Sequence, residues 1–379
     1  MTKARLRVGI VGCGSISLQY LHNAPLFGGV EMRACADINR EVSVRRAEQF
    51  RLKAMDVDDL IAAPDIDLVL NLTVPSAHFD VSMRAIEAGK HVFTEKPLAA
   101  TAAEGSRLAA RAAERGLAIG AAPDTFLGPA GQLARHLLDI DAIGQPIIGT
   151  AFMLSHGMEH WHPDPAFYFQ PGGGPVMDMG PYYLTMLVNL IGPVRRVQAV
   201  ATSGQSERLV TAEGPRKGTK VKVGTPTSLL SLLEFSSGLQ LTFGASWDVH
   251  RHSNQPIELH GTKGSLRLPD PDTFGGVVSV SDHGTPWQDI DTGDRPFGAP
   301  NWPVKSPDRA NYRMVGLADL AASLVEARKP RASGVVALHV LKVMEAILVA
   351  ARTGVAEAIV GEVDRAAPLT EERARKLLA

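Results

Sequence analysis

Short apolar runs and helix-like stretches alternate through the first 122 residues. The apolar runs lie at 5–12, 30–37, 67–73, 91–95 and 117–121, and the helix-like stretches lie at 15–27, 40–50, 76–88 and 101–115. Strands that alternate with helices of this length are typical of βαβ units and a parallel sheet. The pattern therefore predicts a doubly wound α/β domain over residues 1–123. We expect Ser76 to cap the third helix and Gly89 to follow its end.

The pattern changes after residue 123. Helices are predicted at 127–141 and 176–191, with a strand at 145–154 between them. From 194 to 282 several strand-like segments follow one another without helices, which indicates a mainly antiparallel sheet with one face solvated or used as an interface. A Pro-, Gly- and Asp-rich loop is expected at 284–309, followed by helices at 311–328 and 334–352 and a short helix at the end. Residues 124–379 thus form a second, α+β domain.

Composition narrows the functional classes. The chain of 379 residues has 39 Lys+Arg and 40 Asp+Glu, so its net charge of −1 is unlike that of a nucleic-acid-binding protein. We expect no membrane span, because no apolar run approaches about 18–20 residues. The first strand-like run starts at once, which predicts no signal peptide. Two cysteines, Cys13 and Cys35, cannot form a disulfide framework, and a cytoplasmic location is expected.

A glycine-rich turn follows the first predicted strand. Gly12-Cys13-Gly14-Ser15-Ile16-Ser17 is one step from the G-x-G-x-x-G/A pattern that holds a dinucleotide pyrophosphate at a helix N-terminus. Asp37, 20 positions after Ser17, is suited to a ribose 2′-hydroxyl and favours NAD, whereas the nearby Arg40 keeps NADP as an alternative. The predicted cofactor contacts here are Gly12, Gly14, Ser15, Ile16, Asp37, Ile38 and Arg40.

A lysine follows the strand predicted at 91–95. The ends of neighbouring strands face the ligand crevice of such a sheet, so Lys96 is expected at the nicotinamide end. A cationic nicotinamide and partial burial would lower its pKa from the usual ~10.4, letting it help remove a hydroxyl proton. The alternative is a surface lysine before the turn-forming Pro97. Further cofactor contacts are predicted at Thr73, Pro75, His78 and Glu95.

A carboxylate and a phenol lie four positions apart in the second half. The segment 172–183 reads GGGPVMDMGPYY, and its glycines permit close approach to a ligand. Asp178 and Tyr182 share one face if the segment is helical. Pro181 must then lie in the first turn or kink the helix. The alternative is that Asp178 only caps the helix and Tyr182 only packs.

Together, these motifs resemble the Gfo/Idh/MocA oxidoreductases over essentially the whole chain. The resemblance rests on the glycine-rich loop with Asp37, the Thr73-Val74-Pro75 segment with His78, Glu95-Lys96-Pro97, and the GGG-x-x-x-D-x-G segment. It implies an N-terminal Rossmann domain and a C-terminal domain with a large, mainly antiparallel sheet. It also implies NAD(P)-dependent oxidation of a sugar or polyol hydroxyl, with Lys96 as catalytic lysine and a cis Lys96–Pro97 bond.

One position departs from the family's D-x-G-x-H pattern, because Tyr182 stands where the histidine is usual. A phenol is a poor base unless an adjacent ammonium such as Lys96 lowers its pKa. Alternatively, a histidine of the segment 155–164 takes that role. The predicted catalytic residues are Lys96, Asp178 and Tyr182. The predicted substrate contacts are Lys96, Asp124, His156, His160, Trp161, Asp178, Tyr182 and Arg313.

No metal is predicted, although His156, His160 and His162 could in principle bind zinc. The expected function is a sugar dehydrogenase that acts on a small-molecule sugar or polyol. The alternatives are a nucleotide-binding regulatory protein without turnover, and a glycoside-processing enzyme that uses transient oxidation at C3. A homodimer or homotetramer through the second-half sheet is expected.

Overall fold

The computed structural model describes residues 5–302, 309–361 and 363–379. Its first sheet contains β1 (Leu6–Val11), β2 (Val30–Ala36), β3 (Lys53–Ala54), β4 (Leu68–Asn71), β5 (His91–Thr94) and β6 (Ile119–Ala121). All six strands are parallel, in the order β3-β2-β1-β4-β5-β6. The strand order reverses between β1 and β4, which places the ligand crevice beyond the ends of these strands. The predicted doubly wound sheet is confirmed.

Five helices connect these strands. They are α1 (Ser15–Asn23), α2 (Arg40–Phe50), α3 (Val57–Ala62), α4 (His78–Glu87) and α5 (Ala102–Glu114). The prediction missed α3 and β3, which are too short to show a periodic pattern. The predicted Ser76 cap was wrong, because a 3-10 turn at Pro75–Ala77 precedes α4 and Ala77 is its N-cap residue. Gly89 does follow the helix end with a positive φ of 79°.

The second sheet has nine strands and begins with β7 (Pro146–Leu154). The others are β8 (Val194–Thr202), β11 (Ser228–Phe235), β12 (Gln240–Ser246), β13 (Ile257–Gly261), β14 (Gly264–Leu268), β15 (Val277–Asp282), β16 (Gln288–Asp291) and β17 (Glu357–Ala358). A separate hairpin is formed by β9 (Glu207–Leu209) and β10 (Lys220–Lys222). The sheet order is β16-β15-β14-β13-β7-β12-β11-β8-β17, antiparallel except where β7 lies parallel to β12. The predicted mainly antiparallel sheet is confirmed.

Burial alternates along the central strands of this sheet. In β11, Leu229 and Leu233 are buried, while Leu230 and Leu232 are more than half exposed. The buried face packs against helices α7 (Pro175–Ile191) and α9 (Gly334–Thr353). The opposite face therefore presents apolar side chains that this chain does not cover. The predicted loop at 284–309 contains β16, and its residues 303–308 lie outside the described part of the chain.

Helix α9 is long and apolar enough to cross a membrane by length and composition, with a mean hydropathy of 1.9 over 18 residues. The expectation that no segment would reach this threshold was wrong. The helix packs against α5, α7 and β8, and half of it is buried inside the protein. His339 in its second turn accepts a hydrogen bond from the Val194 N–H at 3.1 Å. It is a core helix in this fold.

The remaining helices are α6 (Pro129–Asp139), α8 (Val315–Glu326) and α10 (Glu371–Leu377). Residues after 314 return to the first sheet. The Ala121 N–H of β6 donates to the Ala332 carbonyl at 3.1 Å, and Phe27 forms a β-bridge with Leu378. The two sheets are therefore joined by the C-terminal helices as well as by the chain crossing near residue 123.

A buried carboxylate holds this C-terminal segment together. Asp319 of α8 is fully buried and pairs with Arg328 at 2.7 Å and with Arg331. Arg331 also donates to the Ala367 and Pro368 carbonyls at 2.8 and 3.0 Å. One carboxylate thus fixes α8, the connection to α9 and the segment before α10.

We predict that Asp319→Asn lowers the free energy of unfolding by about 3–5 kcal/mol, because Arg331 would stay buried without its counter-charge. Urea denaturation followed by circular dichroism measures the loss. As a control, Glu213→Gln removes an exposed i,i+4 pair with Lys217 and should change stability by less than about 1 kcal/mol. Equal, small effects of both variants would contradict the role of Asp319.

Candidate active site

The glycine-rich turn connects β1 to α1. Gly12 has a φ of 99°, and a Cβ there would lie 2.5 Å from the Leu72 backbone, so no other residue fits without rearrangement. A Cβ at Gly14 would meet nothing within 4 Å. Gly14 and Ser15 are exposed, and Ile16 follows them in the first turn of α1. The space beside Gly14 lies at a helix N-terminus, where free N–H groups favour an anion.

Asp37 at the end of β2 shapes this turn. Its Oδ2 accepts the Cys13 N–H at 2.8 Å, and its Oδ1 accepts the Asn39 N–H at 2.9 Å. The carboxylate is partly exposed, and the neighbouring Ile38 is fully exposed at the rim. Asp37 therefore lies where a ribose hydroxyl would meet it. Cys13 and Cys35 are both buried and free, as expected.

An arginine that the sequence analysis missed lies against this turn. Arg46 of α2 donates to the Cys13 carbonyl at 3.1 Å and to the Gly14 carbonyl at 3.4 Å. Arg40, the predicted contact, instead pairs with Asp56 at 3.1 Å on the surface. Arg46 binds backbone carbonyls, which no sequence motif marks. Its position on the helix that follows Asp37 was the one signal that could have indicated it.

The segment after β4 contains one predicted cofactor residue that the structure assigns differently. Thr73 is partly buried, and Pro75 opens the 3-10 turn. His78, however, is fully buried, with its ring nitrogens 2.7 Å from the Pro97 carbonyl and 3.0 Å from the Thr73 carbonyl. Burial lowers its pKa. His78 thus ties two loops together through both ring nitrogens, and its contact with a cofactor stays a prediction.

Lys96 lies two residues after the end of β5 and meets α7 across the crevice. Its Nζ donates to Oδ1 of Asp178 at 2.7 Å and to the Asp178 carbonyl at 2.7 Å, and both side chains are 17% exposed. The Lys96–Pro97 bond is cis, as predicted, and Ala122–Pro123 is cis as well. Glu95 accepts the Tyr20 hydroxyl at 2.8 Å and the Lys96 N–H at 3.0 Å. Lysine and aspartate from the two halves therefore form one unit.

The expected lowering of the Lys96 pKa does not occur in this structure. Burial lowers the pKa, but the Asp178 carboxylate and the neighbouring Tyr182 oxygen together raise it above its usual value. An ammonium paired with a carboxylate in low dielectric keeps its proton. Lys96 is consequently a hydrogen-bond donor here.

Tyr182 lies on α7, one turn after Asp178. Pro181 is in the seventh position of this helix, beyond the first turn, and the helix continues past it. Tyr182 is almost fully buried, and the Lys96 Nζ lies 5.4 Å from its ring centroid. Burial raises the pKa of Tyr182 to about 12, although Arg313 and Lys96 each oppose the rise. The phenol therefore keeps its proton at neutral pH, and the lowered pKa that a tyrosine base would require is not found here.

Arg313 reaches this site from the loop before α8. It donates to the Tyr182 hydroxyl oxygen at 3.3 Å and to Oδ1 of Asp272 at 2.7 Å. Asp272 was missed, because it lies in a loop with no recognisable motif. Asp124, a predicted substrate contact, is 1% exposed, and its Oδ2 accepts the N–H groups of Met314 and Gly316, both at 2.9 Å. It therefore positions the loop that carries Arg313, and its contact with a substrate stays a prediction.

The loop between β7 and α7 contributes an aromatic side chain that the prediction missed. Tyr168 lies close enough for Asp178 to raise its pKa, after burial, to about 12. Its ring contacts His162 edge-on at 5.4 Å, and His162 contacts the exposed Trp161 in the same way. The rings of Trp161, His162 and Tyr168 thus form a row of contacts that ends near Asp178.

The predicted histidines of this loop lie apart from the lysine. His156 and His160 stack on one another at 3.8 Å, and His156 also stacks on His250. Within the described residues, no hydrogen bond or ion pair joins either one to Lys96, Asp178 or Tyr182. The same residues contain no group of three or more His, Cys, Asp or Glu side chains arranged to hold a metal ion.

Comparison with known proteins gives matches over both halves. Residues 6–122 match the oxidoreductase family with an NAD-binding Rossmann fold, and residues 132–267 match the GFO/IDH/MocA C-terminal domain. Levoglucosan dehydrogenase of Pseudarthrobacter phenanthrenivorans is 27% identical over 69% of this chain and 73% of its own. A dTDP-3,4-didehydro-2,6-dideoxy-α-D-glucose 3-reductase of Streptomyces violaceoruber is 31% identical over 70% and 73%.

The solved structure of levoglucosan dehydrogenase in complex with NADH has the same fold. It superposes with a TM-score of 0.78 at 22% identity and covers 94% of this chain and 100% of that one. The predicted family is confirmed by the two domain matches, which together span two thirds of the chain. The chain belongs to the Gfo/Idh/MocA family of oxidoreductases and carries that family's NAD-binding Rossmann domain.

Proposed function

We propose that this protein is an NAD-dependent dehydrogenase that oxidises a CH–OH group of a sugar or polyol and reduces the corresponding ketone in reverse. The observation that carries the proposal is the Lys96–Asp178 pair beside Tyr182 at the end of β5. Relatives named as a sugar dehydrogenase and a sugar 3-reductase support both directions of this chemistry. Bound NAD supplies the hydride acceptor.

Lys96 has one N–H left for a substrate. Its ammonium group has three donors, and two point to Asp178. The third can donate to the substrate oxygen and stabilise negative charge that develops there during hydride transfer. Asp178 keeps the ammonium in place and can accept a hydrogen bond from a neighbouring hydroxyl. Tyr182 shares this site and carries a proton that it can exchange with the substrate oxygen.

The charges of the site favour a neutral, hydroxyl-rich substrate. Lys96 is neutralised by Asp178, and Arg313 is neutralised by Asp272 at 2.7 Å. Glu95, 8% exposed, adds a further carboxylate beside Lys96. A carboxylate or phosphate at the reacting end would need an uncompensated cation, whereas sugar hydroxyls pair with donors and acceptors of both kinds. Tyr168 and Trp161 add aromatic surface for a sugar ring.

The open space beside Gly14 is proposed as the cofactor site. We assign Gly12, Gly14, Ser15 and Ile16 to the pyrophosphate and Asp37 to the adenosine ribose, because a carboxylate there suits a 2′-hydroxyl. Ile38 at the rim would lie beside the adenine. Thr73, Pro75 and Glu95, which line the ends of β4 and β5, would face the nicotinamide half.

The exposed face of the second sheet is proposed as the contact of a homodimer or homotetramer. Leu230 and Leu232 lie in one groove with Val200 and Val355, and these four side chains are 53–67% exposed. A contiguous apolar groove of this kind on a sheet suits self-association about a two-fold axis.

We predict that Lys96→Ala lowers kcat by about 100-fold or more, because the donor to the substrate oxygen is lost. Affinity for NADH should stay within about threefold. Stopped-flow absorbance with a sugar panel gives the rates, and calorimetry gives the affinity. Lys329→Ala, which removes a 92% exposed ammonium, serves as the control and should leave both unchanged. Full turnover by Lys96→Ala would exclude the lysine from the reaction.

Gly14→Val should fold normally and lose at least about tenfold in NADH affinity, because its side chain would fill the open space next to the pyrophosphate. Gly12→Ala should instead lower the thermal unfolding temperature, since its Cβ meets the Leu72 backbone. Calorimetry and thermal denaturation separate the two effects. Unchanged NADH binding by Gly14→Val would place the cofactor elsewhere.

Light scattering at micromolar concentration should give the mass of a dimer or tetramer. Replacing both Leu230 and Leu232 with Glu should shift the mass to that of a monomer, because charged groups would be buried without partners. The control Val335→Glu changes an equally exposed apolar residue away from the sheet and should keep the oligomer. A monomeric starting protein would contradict the proposal.

A further inference from the structure

The hydroxyl of Tyr182 has an unusual neighbour for a buried phenol. Arg313 donates to its oxygen at 3.3 Å, and the arginine Cζ lies 5.9 Å from the ring centroid. A guanidinium has no acceptor, so the phenol oxygen must be the acceptor of this bond. The proton of Tyr182 is consequently directed elsewhere and stays available to a substrate oxygen.

Two hydrogen-bond partners from different elements hold Arg313 in position. Asp272 accepts a hydrogen bond from the Arg313 Nη2 at 2.7 Å, and the Arg313 side chain is only 15% exposed. The Asn23 side chain on α1 donates to the Arg313 carbonyl at 3.0 Å. The next residue, Met314, has a φ of 113°, a conformation that a side chain rarely adopts.

Asp124 holds this strained backbone in place. It accepts the Met314 and Gly316 N–H groups at 2.9 Å each. Non-glycine residues keep such dihedral angles only where the surroundings impose them, and they cluster at functional sites. The loop is therefore built to aim one guanidinium at one phenol, and its anchor on α1 lies on the helix that begins at the pyrophosphate.

Several charged and titratable groups face Tyr182 from the elements packed around it. They are Lys96 and Glu95 after β5, Asp178 on α7, Tyr168 on the loop before α7, Asp272 on the loop after β14, and Arg313 before α8. Of these, Arg313 is the one that contacts the phenol oxygen directly. Arg313 and Asp272 carry opposite charges and act on Tyr182 in opposite directions.

We propose that Arg313 is a positioning residue that, held by Asp272, orients the Tyr182 hydroxyl toward the substrate and stabilises the phenolate that forms when Tyr182 gives up its proton. In the reductive direction a hydride, which bound NADH would supply, adds to the carbonyl carbon, and the C=O π pair moves to the oxygen. That oxygen takes the proton of Tyr182 and becomes a hydroxyl. The phenolate left behind lies against the guanidinium and is reprotonated from solvent.

The inference rests on the proposed function for its chemistry, but its electrostatic part is measurable without turnover. We would introduce a fluorinated tyrosine at position 182 of the full-length chain and follow its titration by ¹⁹F NMR. Fluorine makes the phenol more acidic and brings its ionisation into a range where the protein stays folded. The measurement is repeated in Arg313→Gln and in Asp272→Asn.

We expect Arg313→Gln to raise the ionisation midpoint of residue 182 by about one pH unit and Asp272→Asn to lower it by about one. Arg313→Lys should stay within about half a unit of the unsubstituted protein. With natural tyrosine, Arg313→Gln should lower kcat while the KM for NAD is unchanged. Arg267→Gln is the matched control, because that arginine also pairs with a carboxylate and covers an aromatic ring, and its partners are Glu258 and Trp287.

Midpoints that shift in the same direction in both variants, or that do not shift, would overturn the proposal in favour of a purely structural pair. If circular dichroism shows that Arg313→Gln is unfolded, the opposite signs expected for Asp272→Asn and the small shift for Arg313→Lys decide the question. If the unsubstituted protein oxidised no sugar while the two variants still shifted the ionisation midpoint in opposite directions, the proposed function would be refuted. The electrostatic role of Arg313 would still stand.

Discussion

The ion pair between Lys96 and Asp178 is the contact on which the arrangement of the site depends. It joins a parallel-sheet loop to a helix 82 positions later, with both side chains mostly removed from solvent. Burying two charges is costly unless further hydrogen bonds satisfy them. The Glu95 carboxylate accepts the Lys96 backbone N–H, and the Asp178 carbonyl is a second acceptor for the Lys96 ammonium. Tyr182 follows from the same geometry, because one helical turn places it over the ammonium.

Ionisable side chains near the site fall into two groups with different roles. His78 and Asp124 are buried and bond to backbone groups, so they hold loops and the start of α8 in place. Lys96 and Arg313 each contact Tyr182 in the crevice. The two groups differ in their hydrogen-bond partners. Side chains of the first group are bonded to backbone carbonyls and N–H groups, whereas side chains of the second group keep donors free for a ligand.

The parts of this picture that follow from local pattern were predictable. Gly12, Gly14, Asp37 and Lys96 lie at strand ends, and the βαβ pattern fixes where strand ends meet. Arg313 was named as a candidate, but its partner Asp272 comes from a loop whose position depends on the whole second sheet. The backbone partners of His78 and Asp124 were not predicted, because sequence does not distinguish a polar group facing a crevice from one bonded to backbone. The direction of the Lys96 pKa shift depends on the distance between Lys96 and Asp178, which is set by the tertiary fold.

The return of the C-terminal segment to the first sheet has a consequence for the order of folding. Ala332 bonds to β6, and Leu378 bridges to Phe27 beside β2, although β6 and Phe27 are synthesised more than 200 residues earlier. The nucleotide-binding half therefore completes its edge only after nearly all of the described chain has left the ribosome. Contacts of such high sequence separation slow folding and delay the closing of a domain. A nascent chain halted after β6 would expose the apolar surface that α8 and α9 later cover.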